Sequence, residues 1–309
     1  MKFTMHRDLI KGIVFVALGA TSYGILATFV KMAYQQGFTT AEVTSSQFLL
    51  GFAGLLFLNL IFRKKISVSD KNAGRNSVLK LILAGTSLGL TSLFYYYSVK
   101  YVPVSMGIVL LMQTTWMGIV LEMILARKLP SPGKISAVIG VLIGTALSTN
   151  LITNWQSIDL RGIGWGIMAA LSYTIAVFSS NRIALELPFL RRSLWLILGG
   201  ALMILSLSFQ DLGQKFDSTV FWKWGILLSV FGTILPPLLF TLGLPLTGIG
   251  LGTIIASVEI PVSVLMAHIL LAEPINTTQW LGIILIVGSI VLMNVRPERK
   301  IKARELSGL

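Results

Sequence analysis

Ten apolar stretches occupy 10–34, 42–62, 77–99, 103–126, 134–151, 162–184, 190–210, 222–242, 246–270 and 277–295 of this 309-residue chain. Nearly every turn between them is too short to fold alone, so the apolar segments are the protein rather than its anchor. Most are long enough to cross about 30 Å of hydrocarbon, the fifth being short. Lipid offers a backbone no hydrogen-bond partners, so each crossing must be a helix or part of a closed barrel. No stretch alternates cleanly enough for a barrel, and runs such as SLGLTSLFYYYSV, strand-like in water, read as helix here. The expected fold class is an all-α polytopic membrane protein with ten transmembrane helices. The first stretch has no small-residue cleavage site after a short core and is followed by further spans, so it reads as a retained helix.

Charge sets the expected orientation. A net charge of +13 raises the possibility of nucleic acid, but the cations sit at the chain ends and in alternating loops, which excludes that class and marks one face. Lys2, Arg7 and Lys11 precede the first span. Arg63, Lys64, Lys65, Lys71 and Arg75 follow the second, Arg127, Lys128 and Lys134 the fourth, and Arg182, Arg191 and Arg192 the sixth; Arg296, Arg299, Lys300, Lys302 and Arg304 end the chain. With ten spans all of these groups share one side, predicting a multi-pass protein of the plasma (inner) membrane with both termini cytoplasmic. The loop expected at Gly243 to Leu246 is uncharged and gives no vote. Most tryptophans, among them Trp165, Trp195, Trp222, Trp224 and Trp280, lie near span ends and suggest an interfacial belt.

The two halves are similar. ALGATSYG is similar to the region of MAALSYTI, with Ser22 and Tyr23 set on Ser172 and Tyr173, and YVPVSMGIVLLMQTTW aligns with LTGIGLGTIIASVEIP. Five spans is an odd number, so the second copy must enter from the opposite side: residues 1–151 are expected to form one five-helix repeat and 152–309 an inverted second, ending in a short basic tail. LARKLP is basic in its turn and the matching LLAEPI acidic, as inversion requires. Alternating access follows from two such asymmetric packings around a central site. Gly140 with Gly144 and Gly248 with Gly252 make small-xxx-small pairs suited to helix packing.

The candidate substrate-path residues are Tyr23, Lys31, Tyr96, Gln113, Trp116, Tyr173 and Glu259. Glu259 is the sharpest. Inside a span an unpaired carboxylate costs about 2.5 kcal/mol or more and must face protein, water or a cation, so a proton and a substrate amine would compete for it. A neutral Glu in a helix–helix hydrogen bond is the structural alternative. Pro261 removes a backbone bond just beyond. Lys31 would attract a substrate carboxylate or snorkel to the interface, with Glu42 as its expected partner. Glu122 and Arg127 read as an interfacial anchor or gate. Gln113 offers neutral hydrogen bonds, while Trp116 and the tyrosines offer apolar walls or cation-binding faces. Of Tyr95, Tyr96 and Tyr97 one at most is expected to face a cavity, since helical neighbours diverge by about 100°; Tyr96 is chosen.

No nucleophile with an intramembrane base, phosphate loop or cluster of metal ligands emerges, and there is no cysteine, so the chain reads as a non-enzyme with no cofactor and no metal. Its partners are expected to be a small-molecule substrate and membrane lipids, with protons as the candidate coupling ion and no oligomeric state assigned.

The segments ALGATSYGILATFVKMAYQQG, AALSYTIAVFSSNRIALELP and GLGTIIASVEIPVSVLMAHILLAEPINTTQWLGIILIVGSIVLMN resemble the EamA-type carriers of the drug/metabolite transporter superfamily over roughly residues 10–295. That resemblance implies two inverted five-helix units around a central cavity, and a secondary transporter exporting or exchanging small metabolites, amino acids first among them. Lys31 matches the lysine that ends the family's first span and Glu273 its usual turn acid. Lys128 and Gln47 depart from the family pattern. A channel for small solutes and a noncatalytic membrane scaffold are the alternatives.

Overall fold

The computed structural model describes residues 2–62, 75–102, 104–148, 159–212, 216–272 and 276–295. Among them are helices and turns only, so the chain is all-helical. The helices are α1 (Lys2–Gln35), α2 (Thr40–Ile61), α3 (Arg75–Tyr101), α4 (Val104–Leu111), α5 (Thr114–Ala126), α6 (Pro132–Ser148), α7 (Leu160–Arg182), α8 (Phe189–Leu212), α9 (Phe221–Thr247), α10 (Ile249–Ala256), α11 (Glu259–Leu271) and α12 (Thr277–Val295). Seven helical stretches among the described residues are long and apolar enough to cross a membrane, α10 and α11 counting as one, and α5, α6 and α12 are shorter apolar helices. The protein is a multi-pass membrane protein, and its outer surface carries the apolar side chains that lipid requires, among them Leu83, Ile124, Phe209 and Ile284.

Local sequence explains where helices start, bend and stop. Thr39 caps α2 in a reciprocal box: its side chain accepts from the Glu42 amide while the Glu42 carboxylate accepts from the Thr39 amide at 2.7 Å. Asp159 caps α7 by accepting from the Arg161 amide at 2.8 Å, and hydrogen bonding from that arginine holds its carboxyl below the usual range. Helix α9 is wound into π-helical turns at Phe221–Gly225 and Val230–Ile234. Pro236 and Pro237 follow the second of these and supply no N–H to the turn before them. The Phe231 carbonyl instead accepts from the Ser22 hydroxyl of α1 at 2.8 Å.

Two crossings are broken in the same way. The pair α4 and α5 has helices of 8 and 13 residues separated by Met112 and Gln113, and ends on Arg127 in the left-handed region at φ 50°. The pair α10 and α11 has helices of 8 and 13 residues separated by Ser257 and Val258, and ends on Ala272 at φ 53°. The packing of these pairs also corresponds: α5 meets α7 where the Thr114 and Thr174 hydroxyls lie 2.7 Å apart, and α11 meets α1 where Gly24 abuts the Glu259 backbone.

Several expectations change. The turn before the ninth crossing is at Gly248, φ +79°, and not at Gly243 to Leu246; α9 runs through Pro245 to Thr247. Glu122 pairs with Lys134 of α6 at 2.6 Å, and the missing side chain of Gly250 makes room for its carboxylate. Glu42 also accepts from the Thr39 amide and from the Asp217 amide, both at 2.7 Å. Trp224 leaves the proposed belt: it is buried and donates to Gln36 at 2.9 Å, whereas Trp222 and Trp280 are exposed. Arg192 is not a surface cation. It is 3% exposed, and its guanidinium donates to the carbonyls of Ile183, Thr241 and Ser180, tying α7, α8 and α9 together. The Thr241 carbonyl is open to it because Pro245, four residues on, has no N–H. Gly140 and Gly144 do what their spacing predicts, admitting Ser289 and Ile286 of α12 against α6. Glu273, Trp155, the cations at 63–71 and the basic tail lie outside the described residues.

Candidate functional site

A cavity of about 520 Å³, its open mouth included, lies among α1, α3, α4, α7 and α11. Two helices supply most of its wall through a single face each: Tyr23, Leu26, Ala27 and Val30 on α1, and Leu88, Thr91, Ser92 and Tyr95 on α3. Both sets follow the i, i+3, i+4, i+7 spacing that stacks side chains along one side of a helix. Leu111 ends α4 in the wall, Tyr173 comes from α7, and Glu259 is the first residue of α11.

Glu259 reaches the wall because α10 stops at Ala256 and the chain restarts at Glu259. Its side chain therefore sits at a helix start, while the N–H groups of Ile260 and Val262 stay bonded to the Ser257 and Val258 carbonyls. Gly24 lets α1 close on that point. A methyl group there would lie 2.7 Å from the Glu259 carbonyl oxygen and 2.9 Å from Val262. Glu259 is 6% exposed, and its Oε2 has no hydrogen-bond partner within the described structure; the same holds for the buried hydroxyls of Tyr95 and Tyr173. Burying such groups unpaired costs about 1–3 kcal/mol each, so three unmet polar atoms in one cavity wall mark it as a place for a ligand or for water.

The floor and its rings close one end. Tyr23 packs edge-on against Tyr173 and Phe240 at 6.2 and 5.8 Å between centroids. Beyond them α1 lies directly on α9, Gly19 against Phe240 and Gly12 against Leu246. Further toward the start of α1 and the ends of α7 and α9, the Arg192 carbonyl knot and the bond from Asn181 to the Leu244 carbonyl seal the helices. On the other side the lining reaches Val30 on α1 and Tyr96 on α3.

Of the seven residues selected from sequence, the cavity gathers four: Tyr23, Tyr96, Tyr173 and Glu259. Tyr96 spends its hydroxyl on Gln47 at 3.0 Å, while its neighbour Tyr95 also lines the wall. One tyrosine of the triplet was expected there and two are present, since a wide cavity admits residues on both flanks of the facing direction. Lys31 is half-buried one position beyond Val30 and is not in the wall. Gln113 and Trp116 are also elsewhere: the Trp116 indole donates to Gln113 at 2.8 Å, and Trp116 is 39% exposed on the flank of α5. Thr91 and Ser92 were missed. The α3 stripe that contains them is visible as helical spacing counted back from Tyr95.

Comparisons with known proteins agree with this architecture. The profile of the EamA-like transporter family matches residues 10–150 and again residues 160–295. A protein of Synechocystis sp. described as an uncharacterized transporter is 28% identical over 170 residues, 52% of this chain and 49% of that protein, so the chain spans about half the length of the curated relative it matches. A solved crystal structure has the same fold, with a TM-score of 0.71 at 13% identity over 91% of this chain and 98% of the other. The matched regions take in nearly all of the helical chain, and the protein belongs to the EamA-like transporter family.

Proposed function

We propose that the chain is a secondary carrier that moves amino acids or related small metabolites out of the cell, or exchanges them, by alternating access, with protons as coupling ion. In this reading it crosses the plasma (inner) membrane ten times as two inverted five-helix repeats, 1–151 and 152–309, with both termini cytoplasmic. Membership of a transporter family already implies movement of small solutes across a membrane. The observation that carries the finer reading is the matched pair of broken crossings: 8 and 13 residues, a two-residue break and a left-handed end in each half. Two copies of one unit in opposite orientation have two equivalent ways to pack, which is the physical basis for exposing one site to either side in turn.

The cavity supports a carrier over a channel. A channel needs a continuous path, and here the rings of Tyr23, Tyr173 and Phe240 with the packed α1 and α9 close one end.

The test is flux into liposomes holding the purified full chain, with labelled amino acids and small metabolites supplied with and without an imposed pH gradient. Selective, saturable flux that responds to the gradient is expected. Flux that rises linearly with concentration would point to a channel, and folded protein that moves no member of the pool would remove the amino-acid reading.

A further inference from the structure

We propose that the cavity selects a primary amine that carries an aromatic or apolar body and no carboxylate. This rests on the carrier reading above and moves its substrate class from amino acids to related amines. Among the described residues of the wall, Glu259 is the one charged side chain; the rest are tyrosines, small hydroxyls and aliphatic groups. Three buried acceptors in that wall lack partners: Glu259 Oε2, Tyr95 OH and Tyr173 OH. A protonated primary amine has three N–H donors and no acceptor, so it can meet the Glu259 carboxylate oxygen and the acceptor side of each phenol, whose own O–H remains a donor.

The rings complete the match. Tyr23 and Tyr173 stand edge to face at the floor, and aromatic faces of this kind attract an ammonium. An amino acid brings a carboxylate as well, which only accepts hydrogen bonds. It would bring a second acidic group to a wall that has Glu259 and no cation, since Lys31, the residue expected to receive it, is not part of the lining. Desolvating that carboxylate without a partner is what the cavity selects against.

Equilibrium binding to the full-length purified protein in detergent micelles tests this with three matched probes: phenethylamine, phenylalanine and phenylalanine methyl ester. The two probes without a free carboxylate are expected to bind about tenfold or more tightly than phenylalanine. Glu259→Gln should erase that preference, and Tyr173→Phe should weaken phenethylamine several-fold without restoring phenylalanine. Equal affinities, tighter phenylalanine, no binding of phenethylamine, or an amine preference that survives Glu259→Gln would each overturn the assignment. Where Glu259→Gln does not yield monodisperse protein, the wild-type probe series and Tyr173→Phe decide. Liposome flux separates the two readings: saturable phenylalanine flux with no amine preference keeps the carrier and removes the amine site, whereas selective amine binding without any flux keeps the site and removes the carrier.

Discussion

The two broken crossings share a backbone and differ in chemistry. At the restart of α5 stands Thr114, whose hydroxyl meets Thr174 of α7 at 2.7 Å in a buried, satisfied contact. At the restart of α11 stands Glu259, facing α1 at Gly24, with one carboxylate oxygen unmet. The alignment of the halves pairs Thr114 with Glu259 and brings Thr174 over Gly24. One junction is therefore a neutral hinge held by two hydroxyls. The other trades that hydrogen bond for a charge and a closer helix approach, and the cavity forms beside it. A duplicated scaffold can carry a site in one copy only, because the helix break supplies the position and a single residue supplies the chemistry.

Five changes test that contrast, one of them read through a cysteine reporter. The largest effect is expected from Glu259→Gln, which keeps the shape and removes the charge: saturable flux should fall about ten- to hundredfold in the liposome assay, the range that loss of one or two charge-assisted hydrogen bonds would produce. Thr114→Val at the matching position should leave flux within about twofold, and if the two changes are equivalent the chemical asymmetry between the junctions has no functional meaning.

Arg192→Met is expected to be the most destabilising of the structural changes. It leaves the carbonyls of Ile183, Thr241 and Ser180 without their donor, at a cost of about 3 kcal/mol or more, seen as a lower thermal midpoint in detergent. It should also loosen the closed end. The chain has no cysteine, so a single Ala27→Cys in the wall reports access: a membrane-impermeant thiol reagent added outside right-side-out vesicles should label it readily, and less so once Arg192→Met is added. Unchanged labelling would show that the carbonyl knot does not hold the cavity open to one side.

Gly24→Ala comes next. A methyl group 2.7 Å from the Glu259 carbonyl oxygen must push α11 from α1, for about 1–3 kcal/mol of stability and a measurable loss of flux. The smallest effect is expected at the neutral junction, where Thr174→Val should cost only about 0.6 kcal/mol, typical of a hydrogen bond between helices in a membrane. A thermal shift for Thr174→Val as large as that for Gly24→Ala would mean that the two junctions bear equal load.

Much of the fold was legible before any coordinates, since lipid leaves little choice. An apolar run of about twenty residues must be helical whatever its strand propensity, and the ends of α2, α7 and α12 lie within about two residues of the hydropathy boundaries. Where the reading slipped, local backbone chemistry had overruled composition. Pro245 was taken as part of a turn, but Arg192 accepts the role of donor to the carbonyl that the proline leaves open, and the helix continues to Gly248.

The sequence by itself determined the class of molecule, the helical crossings, and Glu259 as a charge that hydrocarbon would not tolerate unattended. Tertiary structure decided which polar groups share a space. Gln113 and Trp116 sit in a helix break like the one that presents Glu259, yet they face one another on the flank of α5. Tyr95 and Ser92, inconspicuous in an aromatic and hydroxyl-rich helix, face the carboxylate's cavity. Arg192 looked like one more cytoplasmic cation and is buried among carbonyls. The reason is physical: insertion into lipid depends on the summed hydropathy of each segment, which a sequence contains in full, whereas a cavity wall depends on the rotation of each helix about its axis, and that is set by contacts between segments more than a hundred residues apart.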